Sequence, residues 1–311
     1  MIGYYSFDGS NANDLSGNLN HGTVGSNLFF TADVAFGSGL AAGSPNNPGN
    51  GDPTRVINVP TSPSLESIDD QLTVSFWMKA TTANNNNWVR IFQHGTEANG
   101  ARTWLVDRDG GTNTTNVRVD TVGAGGGFNQ NIARGGPNTF NDTWHHVLYT
   151  LDTGSWAKYV DKARTTGTYN DGDGLYNTRY LNIFGRNNDG EYVGLLDDIG
   201  IWNSRLSAAE AYAIYNLAMT PALAYGAGNA QTLFDLFAAG SGVANIGSDF
   251  WKNTSGLGGS PGDVVHVHGG LYGLVLGPNG AGVVMTPEPS TLLIWSLLAG
   301  LAFAAGWRRR R

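Results

Sequence analysis

Two aspartates far apart in the chain, Asp14 and Asp197, stand in the settings best suited to hold a ligand. Asp14 belongs to Asp8-Gly9-Ser10-Asn11-Ala12-Asn13-Asp14-Leu15-Ser16-Gly17-Asn18-Leu19-Asn20, a run dense in side-chain oxygens. A calcium ion gathers about six to eight oxygen ligands, and this loop has them in number. Asp197 lies in Leu195-Leu196-Asp197-Asp198-Ile199-Gly200-Ile201-Trp202, where a period of two places it with Ile199 and Ile201 and leaves Asp198 opposite with Trp202. A carboxylate among core residues needs a partner, because an unpaired buried charge is very costly. Calcium is one such partner. Backbone N–H groups of a neighbouring turn are the other, and the asparagine-rich loop is then turn chemistry alone.

The remaining reactive residue types are spaced less favourably. His145 and His146 point to opposite faces of one strand, so they do not share a metal. His266 and His268 share a face, but no third ligand lies nearby in sequence, and the histidines read as exposed strand residues. The five glutamates are Glu66, Glu97, Glu191, Glu210 and Glu288, and none is followed two places later by an aspartate. Glu66 and Asp69 are three apart, the wrong interval for one strand face. No Gly-x-Ser-x-Gly elbow is present to carry a serine nucleophile. Trp88, Trp104 and Trp156 could stack on sugar rings, with Asn84-Asn85-Asn86-Asn87 supplying hydrogen bonds, or they could belong to the core.

The elements that must position these residues follow from composition. Among 311 residues there are 45 glycines, no cysteine and only 14% charged residues. Turns are therefore plentiful, and a disulfide framework, a thiolate metal site and a cysteine nucleophile are excluded. The net charge of −7 argues against a nucleic-acid partner, which favours a basic patch. With 9 Trp, 12 Tyr and 13 Phe there is material for a core without disulfides. Leu72, Val74, Phe76 and Met78 alternate with Thr73, Ser75, Trp77 and Lys79, which predicts a strand. Further short strands are predicted at 2–7, 88–93, 102–107, 115–122, 144–151, 156–162, 179–185 and 192–202, with a Gly/Pro/Asn-rich loop at 37–53. Many short strands between turn signals mean an all-β sandwich.

Four stretches in order resemble a laminin G-like domain of the concanavalin A-like jelly-roll type. They are the aromatic strand leading through Asp8-Gly9 to His21-Gly22-Thr23, then Trp144-His145-His146-Val147, then Leu195 to Asn203, then the helix start Leu206-Ser207-Ala208-Ala209-Glu210. Ser207 caps that helix, with Glu210 completing a capping box, and it runs to about Ala218. The resemblance covers residues 1–219 and implies a jelly-roll sandwich that binds a ligand, with carbohydrate the expected class, or serves a structural role. Some sandwiches of this type are glycoside hydrolases carrying Glu-x-Asp-x-(x)-Glu on one strand; that pattern is missing here, and no enzyme is expected. Residues 220–286 turn glycine-dense, yet Phe234-Asp235-Leu236-Phe237, Phe250-Trp251-Lys252, Asp263 to His268 and Leu271 to Leu276 are too apolar for a free linker. A small β appendage is expected there.

The end of the chain has three parts. Pro287-Glu288-Pro289 stays extended, because proline fixes φ and removes backbone donors. The uncharged run Leu292–Trp307 reads as one membrane-crossing helix of about 24 Å at ~1.5 Å per residue. Arg308, Arg309, Arg310 and Arg311 stay cytoplasmic by the positive-inside rule. Residues 287–311 resemble a PEP-CTERM sorting signal. That resemblance implies an exosortase partner that cuts near Pro287, Glu288 and Pro289, and delivery from the inner membrane to the cell surface or extracellular matrix of a Gram-negative bacterium. Exopolysaccharide or other glycans are the expected ligands. Met1–Phe7 has neither a basic start nor an apolar core, so a secretion leader is expected upstream of Met1.

Overall fold

The computed structural model describes residues 1–35, 39–45, 53–81, 89–95, 103–120, 130–172, 174–175, 179–185 and 192–206. It also describes the helical residues Ala208, Ala211, Ile214 and Tyr215, and three strands between 264 and 285. In chain order the strands are β1 Gly3–Tyr5, β2 Thr23–Val24, β3 Phe29–Thr31, β4 Ala41–Ser44, β5 Ile57–Val59, β6 Gln71–Ala80, β7 Arg90–His94, β8 Thr103–Arg108 and β9 Thr115–Asp120. They continue as β10 Gln130–Ile132, β11 Trp144–Asp152, β12 Ser155–Val160, β13 Ala163–Thr168, β14 Leu181–Ile183, β15 Gly194–Trp202, β16 Val264–Val267, β17 Tyr272–Gly277 and β18 Gly280–Met285. Two antiparallel sheets face each other. One has eight strands, in the order β13-β12-β11-β6-β15-β4-β3 with β1 also on β15; the other has seven, β10-β9-β8-β7-β14-β5-β2. This is the expected all-β jelly-roll sandwich.

Burial on alternating residues explains the register. Leu72, Val74, Phe76 and Met78 of β6 point inward, and Phe76 meets Phe92 of β7 edge-on at 4.7 Å between ring centroids. The opposite face of β6 is also shielded. Thr73 Oγ1 donates to Ser204 O at 2.7 Å and accepts from Leu206 N–H at 3.0 Å, and Trp77 stacks on Tyr215 at 5.9 Å. Residues 203–206 and Tyr215 thus lie over the outer face of the eight-stranded sheet, and the polar alternates Thr73 and Ser75 are buried.

Two local outcomes differ from expectation. Ala41–Ser44, inside a predicted loop, forms strand β4 between β3 and β15. Its small side chains carry no strand signal, but a Cβ on Gly43 would sit 2.4 Å from the Phe29 ring, so close packing requires them. Ala163–Thr168, Ala-Arg-Thr-Thr-Gly-Thr, forms the largely exposed edge strand β13 and lacks the apolar alternation that marks a strand facing a core. Strands β16, β17 and β18 form the expected small β unit, a three-stranded antiparallel sheet. Ser207, Glu210, residues 234–237 and 250–252, and all of 287–311 lie outside the described residues. Among the described residues no helix is long and apolar enough to cross a membrane.

Candidate functional site

The outer face of the seven-stranded sheet is built from polar side chains that its register brings into rows. One row runs Asn58–Asn182–Gln93–Leu105–Arg118–Asn131 across β5, β14, β7, β8, β9 and β10. Beside it, Arg90 pairs with Asp107 and Asp107 with Asn116. A bulge at Ile91 makes this possible: it shifts the register between Arg90 and Phe92, so Phe92 enters the core while Arg90 turns outward. The inward partners in these strands, Val106, Val117, Val119 and Ile183, belong to the core.

Asp107 is the centre of this face. Its Oδ2 accepts from Arg90 Nη1 at 2.9 Å and Arg118 Nε at 2.8 Å, and its Oδ1 accepts from Asn116 Nδ2 at 3.1 Å. The carboxylate is fully buried. Burial pushes its pKa up to about 6 against the pull of Arg118 and Arg90, so at neutral pH it stays ionised between two guanidiniums.

Around this triad three amide atoms are buried without a hydrogen-bond partner: Gln93 Oε1, Asn116 Oδ1 and Asn182 Nδ2. Their orientations are set by the other half of each amide. Gln93 Nε2 donates to Gly95 O at 3.1 Å, Asn116 Nδ2 also donates to Asn131 Oδ1 at 3.0 Å, and Asn182 Oδ1 accepts from Asn58 Nδ2 at 3.0 Å. Each orphaned group costs about 1–3 kcal/mol of desolvation. The set offers two acceptors and one donor around a centre of net charge +1, two guanidiniums against one carboxylate, and that mix of donor and acceptor capacity is the one hydroxyl groups meet.

The residues singled out in the sequence lie elsewhere. Asp14 ties down its own loop: Oδ1 accepts from Tyr4 N–H and Ser16 N–H, at 2.9 and 2.8 Å, and Oδ2 from Ser16 Oγ and Asn20 N–H, both at 2.9 Å. Those four bonds occupy its lone pairs, so the donor set does not fit a calcium ion there. Asp197 accepts from Asp198 N–H at 2.9 Å and Ala35 N–H at 3.4 Å, groups that Asp14 does not touch. Its predicted partnership with Ile199 and Ile201 is corrected by a bulge. Asp197 pairs with Trp77 and Gly200 with Ser75, so Asp198 is the extra residue and Asp197 faces away from the core that Ile199 and Ile201 enter. Asp198 sits at φ 44° and accepts a 2.6 Å bond from Tyr4 Oη. Among the described residues no group of three or more His, Cys, Asp or Glu is placed to hold a metal.

His145 and His146 do point apart, but neither is an exposed strand histidine. His146 is buried against Ser75 Oγ at 2.9 Å, and His145 Nδ1 meets Asp161 Oδ2 at 2.5 Å. Trp104 is a core residue stacked with His94 at 5.7 Å, and Trp156 packs against the core. Trp88, Asn84 to Asn87 and His268 lie outside the described residues. The polar face was missed because Asp107, Asn116 and Asn182 belong to separate short strands that only the sheet order brings together. The one local signal is the alternation Asn116, Arg118, Asp120 against Val117 and Val119.

Comparison with known proteins places this geometry. Residues 50–211 match the laminin G family described as the concanavalin A-like lectin/glucanases superfamily. No curated protein sequence matches the chain. Among solved structures, the binding domain of botulinum neurotoxin DC in complex with rat synaptotagmin II is similar at a TM-score of 0.53 and 13% identity, over 71% of this chain and 52% of that one. The binding domain of Paraclostridial Mosquitocidal Protein 1 is similar at 0.52 and 15% identity, over 69% of this chain and 51% of that one. The botulinum neurotoxin serotype D ligand binding domain in complex with N-acetylneuraminic acid is similar at 0.50 and 14% identity, over 69% and 50%. The chain spans about half the length of these toxin domains, and at such identities the likeness is one of fold. The family match takes in more than half of the 311 residues, and the chain belongs to the concanavalin A-like lectin/glucanase superfamily.

Proposed function

We propose that this protein is an exported, non-catalytic glycan-binding protein, held in the inner membrane by Leu292–Trp307 and released to the cell surface by an exosortase acting at Pro287-Glu288-Pro289. The observation that carries the binding reading is the set of buried amide atoms, Gln93 Oε1, Asn116 Oδ1 and Asn182 Nδ2, left unpaired around the Arg90–Asp107–Arg118 triad. A sheet face that served folding alone would pair these groups or replace them with apolar ones. All three atoms are shielded from solvent, so on this reading saccharide hydroxyls satisfy them only once the cover over this face gives way. The sialic-acid-bound toxin domain supports the ligand class by likeness of fold. The sorting reading rests on the residues of 287–311, with the basic end matching the positive-inside rule.

One feature favours a hydrolase as the second reading. Asp107 of β8 and Asp109, just past its end, stand two apart, an interval of about 7 Å in extended chain and within the spacing of glycosidase carboxylate pairs. Asp107 is nevertheless clamped by two guanidiniums and an amide, and Asp109 Oδ1 by Arg134 at 2.7 and 2.8 Å. A general acid must present its proton to a leaving oxygen, and these contacts oppose that.

A glycan array probed with the full-length chain in detergent tests the proposal. Binding to a defined glycan is expected, and Gln93→Leu or Asn182→Leu should weaken it at least tenfold. Each substitution removes one orphaned atom and one formed bond, to Gly95 O or from Asn58 Nδ2, so unliganded stability should change by no more than about 1 kcal/mol. An array without hits, or full binding by both folded variants, refutes the site.

A further inference from the structure

The outer face of the eight-stranded sheet is covered along most of its length but open at one end. Successive pairings place Phe29, Gly43, Leu195, Lys79 and Trp144 in a single row across β3, β4, β15, β6 and β11. Their neighbours Phe30, Leu196 and Met78 turn to the core, so this row faces out. The next row inward contains Asp197, Trp77 and His146, all buried, which makes the open strip one residue deep.

The strip is built rather than merely left uncovered. Gly43 has no side chain, and the Phe29 ring and the Leu195 side chain close over it: an added Cβ would meet them at 2.4 and 2.8 Å. Phe29 remains 41% exposed, unlike nearly all the other large apolar residues of the described chain. At the other end the Trp144 indole is fixed by its Nε1–H, which donates to Asp33 Oδ1 at 3.0 Å. Asp33 Oδ2 in turn takes Lys79 Nζ at 2.6 Å, and that pair stays 46% and 30% exposed. The result is two part-exposed aromatic rings, an aliphatic surface between them and, beside it, the charge-neutral pair of Lys79 in the row and Asp33 next to it.

We propose that this strip is a second saccharide-contact surface, taking a neutral polysaccharide chain laid across the strands. The inference rests on the glycan-binding reading above but names a different face and a longer ligand. Four inter-strand steps span about 19 Å, and one residue of depth is about 7 Å, giving an area on the order of 130 Å². A specific protein partner covers about 800 Å² on each side, so the strip is too narrow for one. A linear chain of sugar rings has the matching shape. Its C–H faces stack on Phe29 and Trp144, and its hydroxyls reach Asp33 and Lys79. The local charges cancel, which selects against an acidic polymer.

Retention of the full-length chain in detergent on insoluble cellulose, xylan and arabinan reads the proposal out. Trp144→Ala and Phe29→Ala should each lower retention at least tenfold at unchanged melting temperature, and Trp144→Phe should restore most of it. Leu195→Asn serves if an aromatic variant unfolds, with the same loss expected. Equal retention of the parent and the folded strip variants overturns the strip. If Gln93→Leu alone abolishes retention, the strip fails while the glycan-binding reading stands. A parent that none of these polymers retains but that binds short glycans on the array also refutes the strip alone. A parent that binds neither refutes both.

Discussion

His94 and His146 are both out of contact with solvent, and burial holds each imidazole down to about 4. Each is therefore neutral in the fold, His94 stacked on Trp104 and His146 bonded to Ser75. The unfolded chain takes up these protons near pH 6.5, whereas the folded chain resists until about 4, so stability falls as pH drops through that window. Asp107 acts in the opposite direction. Its folded pKa of about 6 lies above the unfolded value, so protonation below pH 6 relieves a buried charge. Two groups lose and one gains, and the net loss between pH 6.5 and 4.5 should be about 3 kcal/mol. Urea unfolding at the two pH values measures it, and His146→Gln should flatten the dependence by removing one titrating group. Stability that is level across this window would contradict the assignment of neutral buried imidazoles. Little of this was legible in the sequence. The Trp-His-His-Val stretch marks a strand, but only the cover from Tyr215 and the neighbouring Ser75 decide that His146 is buried.

Strand β12 shows the same limit at the scale of an element. The strand predicted at 156–162 forms as Ser155–Val160, and Trp156 and Val160 face the core. Lys158 lies between them on the same face, and a lysine on an apolar face reads as an interruption. The structure gives it a role in joining the sheets. Lys158 Nζ crosses to Thr115 O at 2.5 Å, Gly135 O at 2.7 Å and Ala133 O at 3.3 Å, and lies 5.8 Å from the Tyr149 ring centroid. Tyr149 Oη itself donates to Thr115 Oγ1 at 2.6 Å. Burial lowers the ammonium to about 8, still protonated at neutral pH. Lys158→Met keeps the stem and removes the charge, leaving three carbonyls short of a donor; about 3 kcal/mol should be lost. An unchanged denaturation midpoint would show that water replaces the ammonium without loss. Alternation in β6 was readable because a long strand between two packed layers repeats the period many times. Strand β4 and the bulges at Ile91 and Asp198 were not, since small residues and a one-residue register shift leave no periodic trace.

For the whole molecule the open matter is how a sandwich of this kind reaches the glycans proposed for it. Arg308 to Arg311 follow directly on an uncharged run, and carrying a guanidinium to the centre of a bilayer costs about 2.5–3.5 kcal/mol on insertion scales. On the sorting reading proposed above, four together favour the cytoplasmic side for Arg308 to Arg311 and put the jelly roll on the other side of the inner membrane. On that reading a helix of about 24 Å over Leu292–Trp307 would tether the domain beside the bilayer until the chain is cut. Proline favours an extended backbone, which on the same reading suits Pro287-Glu288-Pro289 to a cleaving enzyme, and Glu288 is the one side chain of the three able to make a charged contact. Glu288→Ala should therefore leave the tether and the fold intact while uncut precursor accumulates in the inner membrane of an exosortase-bearing host. Immunoblots of membrane and surface fractions measure the ratio of precursor to product. The mutant precursor, extracted in detergent, should bind the same glycan as the parent, which separates a sorting defect from a folding one. Equal cleavage of mutant and parent would mean that the triplet is not what the processing enzyme reads.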